Sequence, residues 1–142
     1  MKLNLDCIRD ILLIVEEEQT IQKIDNPLLA DEGFSDTWLI KQISSDWLIK
    51  HEKLKEYDTE DILYSIKQMD ESGFLEISDI KPGGYFSYLI KDISPKGHEF
   101  ISNLKSLTVW NKVKSTIKSV SGASLSIVSK VAAETVLKQL LP

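Results

Sequence analysis

The residues able in principle to do chemistry are few: two histidines, one cysteine, a surplus of carboxylates and a short glycine turn. His51 lies between Lys50 and Glu52 with no ligand partner at metal spacing, so it reads as a surface histidine. His98 has Glu99 beside it, but neighbouring helical residues point about 100° apart and do not form an acid–base pair. With Gly97 before it, His98 is expected to pack where its helix meets the preceding hairpin, its ring satisfied by backbone. Cys7 sits between Asp6 and Ile8, one position off a helical apolar stripe, with no histidine nearby and acids that would raise its pKa, which describes a buried or half-buried thiol and not a nucleophile. The glycines of Lys81-Pro82-Gly83-Gly84 precede a strand and not a helix, so they do not form a phosphate cradle. No Gly-x-Ser-x-Gly, His-x-x-x-His or phosphate loop occurs, and nothing pairs two carboxylates in an apolar setting. The expectation is a non-enzymatic protein with no catalytic residue, no metal ligand and no cofactor, acting by contact.

Composition narrows the kind of contact. The 142 residues, 42% of them hydrophobic and 27% charged, suffice for one domain with a real core. No apolar run approaches a membrane span and no leader pattern opens the chain, so a cytoplasmic protein without membrane contact is expected. The formal charge of −5 excludes a domain basic throughout. It is unevenly placed: residues 1–95 hold 10 bases and 20 acids, a net of −10, whereas residues 96–142 hold 7 lysines and 2 acids, a net of +5. Such asymmetry marks an interaction surface or two faces that neutralise each other within one fold.

The elements that position these residues follow from periodicity. Residues 5–18 read as an amphipathic helix with Leu5, Ile8, Leu12 and Val15 inward and Asn4 as N-cap. Residues 19–36 read as a loop whose length makes it a candidate contact segment, and the repeated Trp-Leu-Ile-Lys at 38–41 and 47–50 allows either a hairpin or a helix from Trp47 to Leu54. A helix over 59–72 carries Ile62, Ile66 and Met69 inward, with Thr59 able to cap it and Gly73 ending it. Strands are expected at 74–80 and 85–93, joined by the Lys81–Gly84 turn. Ser94-Pro95 opens a further helix whose apolar face runs through Phe100, Ile101, Leu104, Leu107 and Trp110. Ser121-Gly122 breaks it, and a last amphipathic helix runs over 124–141.

This order of helices and a two-stranded hairpin predicts an α+β fold with a winged-helix-type core. Residues 1–101 form that core, and residues 102–142 form a helical C-terminal extension that packs on it or pairs two chains as a homodimer. The segment YSIKQMDESGFLE at 64–76 resembles the recognition-helix end and wing entry of arsenic-repressor-like and antibiotic-resistance-repressor-like regulators. A wider resemblance rests on MKLNLDCIRDILLIVEE, EYDTEDILYSIKQMDESGFLE, SPKGHEFISNLKSLTVW and the lysine-containing stretch after Trp110. Together these resemble an uncharacterised family of short phage and prophage proteins, a domain-of-unknown-function family. The resemblance implies a winged-helix core with added C-terminal helices and a viral setting, and it carries no activity. Ser65, Pro95, Ser102 and Lys105 depart from the family's usual residues, so no Asp–Arg pair at the last two positions is carried over.

A winged helix would nominate the 59–72 helix for the DNA groove, yet segment 58–72 has five acids against Lys67. A groove-reading helix offers Arg, Lys, Asn or Gln to bases. Glu60, Asp61, Tyr64, Gln68 and Glu71 instead suit a basic protein surface, which makes a host or phage protein the expected partner and the protein an inhibitor or adaptor. The alternative is a DNA-binding regulator, with Lys67, Lys81, Lys105, Lys112, Lys114 and Lys118 as phosphate contacts.

Overall fold

The computed structural model describes residues 3–24, 37–79, 87–118 and 124–140. Helix α1 (Leu5–Glu18) begins where expected: Asn4 Oδ1 accepts the amide of Cys7 at 3.1 Å. Its buried side is broader than one stripe, taking in Cys7, Ile8, Ile11, Leu12, Ile14 and Val15. Two later helices and a 3₁₀ turn all pack against it, so it is the centre of the core.

The segment after α1 corrects one expectation and decides between two others. Ile21–Ile24 is a strand, β1, and not part of a loop; it pairs antiparallel with β2 (Thr37–Ile40), setting Ile21 opposite Ile40 and Lys23 opposite Trp38. Residues 25–36 of the expected loop lie outside the described residues. The first Trp-Leu-Ile-Lys therefore pairs with β1 and not with the second copy. That second copy starts inside α2 (Ser45–Ile49), opened by Ser44 Oγ accepting the Trp47 amide at 3.1 Å, and a 3₁₀ turn (Glu52–Leu54) follows. One tetrapeptide adopts two structures because its neighbours differ: a strand partner in one case, a serine cap in the other.

Helix α3 (Thr59–Glu71) buries Ile62, Ser65, Ile66 and Met69. Asp58, not Thr59, occupies the N-cap position, and it makes no side-chain capping bond. The other end is a Schellman motif: the Phe74 amide donates to Met69 O at 2.8 Å and the Gly73 amide to Asp70 O at 3.0 Å. Gly73 has a φ of 80°, where a side chain would be strained. Strands β4 (Leu75–Asp79) and β5 (Tyr88–Ile93) then form an antiparallel sheet with the short β3 (Ile43–Ser44), in the order β3-β5-β4. The turn expected at Lys81–Gly84 lies outside the described residues.

Ser94 and Pro95 open α4 (Pro95–Leu104) as the sequence implies, with Ser94 Oγ accepting the Gly97 amide at 3.0 Å. Phe74 and Phe100 stack with centroids 4.8 Å apart, locking α4 over the start of β4. The expected single helix through Trp110 is in fact two. Arg9 on α1 donates Nε to Leu104 O at 2.9 Å and Nη2 to Lys105 O at 3.4 Å, taking the carbonyls that a continuing helix would use. Ser106 then starts α5 (Leu107–Lys118), accepting the Val109 amide at 3.3 Å, and Leu107 is left 63% exposed. Helix α6 (Leu125–Leu140) packs on α4 and α5 through Leu125, Val128 and Ala132. Those residues and Val109, Trp110 and Val113 join the same hydrophobic cluster as α1 and the sheet. The architecture is α+β: among the described residues, six helices around a small antiparallel sheet, with a separate two-stranded ribbon. No helix among them is long and apolar enough to cross a membrane.

Candidate interaction surface

With Ile62, Ile66 and Met69 inward, α3 turns Glu60, Lys67 and Glu71 to solvent, while Asp61, Tyr64 and Gln68 are half-buried on its flanks. Lys67, the one base in the segment, lies 3.9 Å from Glu71 one turn on, and Gln68 Nε2 donates to the other oxygen of Glu71 at 3.4 Å. The base is thus partly neutralised from within its own helix, and the exposed face is acidic. All five residues expected to meet a protein share this helix.

Among the described residues, the lysines expected to meet phosphates lie on different elements. Lys105 Nζ is 2.7 Å from Glu16 Oε1, and Lys114 Nζ is 3.0 Å from Asp6 Oδ1, so two of them are held by carboxylates of α1. Lys112 and Lys118 are exposed on α5, Lys67 is on α3, and Lys81 lies outside the described residues. The basic C-terminal part and the acidic N-terminal helix therefore neutralise each other at these contacts. Burial alone would raise the Asp6 pKa, but hydrogen bonds from Trp110 and Lys114 and the charges of Lys114 and Arg9 outweigh it and hold the carboxyl below its ordinary value.

The remaining candidates are Cys7, His51 and His98. Cys7 is fully buried; burial pushes its thiol up to about 11, opposed by a hydrogen bond with Ser65 and aided to a lesser degree by the charges of Asp61 and Asp10. His51 Nδ1 accepts the Lys53 amide at 3.1 Å and its ring meets Trp47 edge-on at 5.1 Å. His98 is exposed, contrary to expectation; Gly97 alone packs at the junction, because a Cβ there would collide with the Phe74 carbonyl and come within 2.8 Å of Ile93 Cγ2. Among the described residues no three His, Cys, Asp or Glu side chains gather as a metal site.

Sequence reasoning marked 19–36 as a contact segment but missed the pairing that makes the β1–β2 ribbon a surface. Ile21 and Trp38 are 67% and 60% exposed, and Leu39 and Ile40 are also open to solvent. Ile21, Lys23, Trp38 and Ile40 share one side of the ribbon by register. The β-branched and aromatic residues of Thr-Trp-Leu-Ile favour a strand, but Ile-Gln-Lys-Ile, its partner, is too short and polar to stand out.

Comparison with known proteins adds family but no activity. The chain is 30% identical over 142 residues, covering 99% of both, to an uncharacterized protein of Haemophilus influenzae. No solved structure matches it. A family model described as a hypothetical protein, DUF2513, matches residues 2–124. The stretch matched holds α1 through α5, including the acidic α3 and the Asp6–Trp110 contact, and so the chain belongs to the DUF2513 family.

Proposed function

We infer that this is a non-enzymatic accessory protein of phage or prophage origin that binds a basic surface of a host or phage protein through the acidic face of α3, as an inhibitor or adaptor. The observation that carries this reading is the face itself: Glu60 and Glu71 exposed, and Lys67 beside Glu71 at 3.9 Å. Opposite a duplex, each carboxylate brought close to a phosphate costs about 1 kcal/mol even in water, and no counterion is released in return. Opposite a basic protein groove, the same charges steer association and set its orientation. The exposed Trp38 and Ile21 of the ribbon support a protein partner, since aromatic and aliphatic anchors are the currency of protein interfaces. The phage setting rests on the resemblance of the chain to phage and prophage proteins.

A winged-helix core is part of this reading. Its support is the order α1, β3, α2, α3, β4, β5, interrupted by the β1–β2 ribbon after α1, and the strand order β3-β5-β4, which resemble the plan of that fold with β4–β5 as the wing. The same plan favours the second reading, a DNA-binding regulator, with the exposed Lys112 and Lys118 left for phosphates. A mobility-shift titration resolved by salt separates the two. The protein reading predicts no duplex complex below micromolar concentration; a sub-micromolar complex that weakens steeply with salt, and is lost when Lys81, Lys112 and Lys118 are neutralised, overturns it.

A further inference from the structure

Two clefts on the described surface mix charges of both signs. The one between α1 and the 3₁₀ turn, of about 430 Å³, sets Asp10, Glu17, Glu52 and Glu56 against Lys53 and Lys55. The one beside Trp47, of about 210 Å³, holds Glu18 and Lys41, which are bonded to each other at 3.4 Å. A third cleft, of about 320 Å³ between α5 and α6, is different in kind: Lys112, Ser115, Thr116, Thr135, Lys138 and Gln139 line it, with no carboxylate among them. Lys105 and Lys114 of the same basic segment find acids on α1, whereas Lys112 and Lys138 have no carboxylate partner among the described residues. Glu134, one turn before Lys138, does not line the cleft.

The donors can be counted. Thr116 Oγ1 donates to Lys112 O at 2.9 Å and Thr135 Oγ1 to Val131 O at 2.7 Å, so both hydroxyl protons are turned to backbone. The groups left for a ligand are two ammonium ions, the Ser115 hydroxyl and the Gln139 carboxamide. Two positive charges and neutral donors, undiluted by acid, match an oxyanion of charge near −2; a carboxylate would leave one ammonium unmatched. A phosphoryl group carries about −1.5 to −2 near neutral pH. We propose that the α5–α6 cleft binds a phosphoryl oxyanion, as free phosphate or a phosphomonoester, through Lys112 and Lys138 with Ser115 and Gln139 as neutral donors. The site lies on other helices than α3 and does not depend on the partner proposed for that face.

The test is an amide-resolved NMR titration of the full chain with inorganic phosphate, with phosphoserine in a second arm and sodium chloride at matched ionic strength as control. Saturable shifts confined to 112–116 and 135–139 are expected with phosphate and absent with chloride. Saturation by phosphoserine as well identifies a phosphomonoester site; saturation by inorganic phosphate alone identifies a site for the free ion. The double substitution Lys112→Gln/Lys138→Gln, on exposed side chains, is expected to weaken binding by about tenfold or more and leave the rest of the spectrum unchanged. Shifts that fail to saturate, that chloride reproduces, or that the double variant retains would overturn the proposal. So would a duplex DNA that shifts these amides where phosphate does not, since the cleft would then be a polyelectrolyte surface.

Discussion

Lys114 Nζ lies 3.0 Å from Asp6 Oδ1, the same oxygen that accepts the indole N–H of Trp110 at 2.8 Å. One carboxylate in the first turn of α1 thus holds α5 by a charge and by the polar edge of a buried aromatic. The contact also removes part of the basic character of the C-terminal segment. Two of its seven lysines reach back to acids of α1, Lys114 here and Lys105 at Glu16.

Replacing Asp6 by alanine leaves the N–H of a nearly buried indole without its acceptor, and is expected to cost about 1–2 kcal/mol in denaturant unfolding. Asp6→Asn keeps an oxygen for the indole and loses only a part-exposed ion pair, so it should cost under about 1 kcal/mol. The pH dependence has a definite sign. The Asp6 carboxyl is held low in the fold, so its contribution is complete above the ordinary carboxylate value and is lost as pH falls through the folded one. Unfolding midpoints measured downward from about pH 4 should fall less steeply in Asp6→Asn than in the parent.

Gly97→Ala should be among the most damaging small substitutions in the chain. The new Cβ meets the Phe74 carbonyl, which is backbone held in the Schellman turn and bonded by the Ser94 amide at 3.1 Å, so neither side can give way cheaply. A loss of roughly 3 kcal/mol is expected by chemical denaturation. Gly73→Ala, whose Cβ meets nothing within 4 Å, should cost only the roughly 1–2 kcal/mol of a left-handed backbone.

Cys7 should resist alkylation at neutral pH in the native protein and react promptly once the chain is unfolded. Mass spectrometry after timed iodoacetamide exposure reads this directly; rapid native labelling would contradict the burial. The neutral thiol is favoured by the fold, so stability should decline as pH rises from the ordinary thiol value of 9.0 towards about 11, and Cys7→Ser should lack that decline.

Local rules made α1, α3, β5 and the start of α4 legible, because their caps and periods sit within a few residues: Asn4 before Leu5, Gly73 after Ser72, Ser94-Pro95 before Lys96. What was not legible depends on distant partners. The break between α4 and α5 is made by Arg9, 95 residues away from Leu104 in sequence. Strand β1 exists through Ile40 and Trp38, across a long connection, and its sequence alone gives no cue. The acidic face of α3 was readable from helical spacing, but the pairing of Lys105 and Lys114 with α1 was not, since it needs the two ends of the chain brought together.

The central claim is that the exposed acids of α3 meet a basic protein. Its most direct test is capture of a partner by the full chain from nuclease-treated host lysate, comparing the parent with E60K/D61K/E71K and with the milder E60K/E71K, which spares half-buried Asp61. Unchanged circular dichroism and unfolding midpoint for the milder variant show that the fold is intact. The account predicts a partner that the parent retains despite nuclease, that weakens as salt rises, and that both reversed chains lose. Capture that the reversed chains retain in full, or that nuclease abolishes, would contradict it.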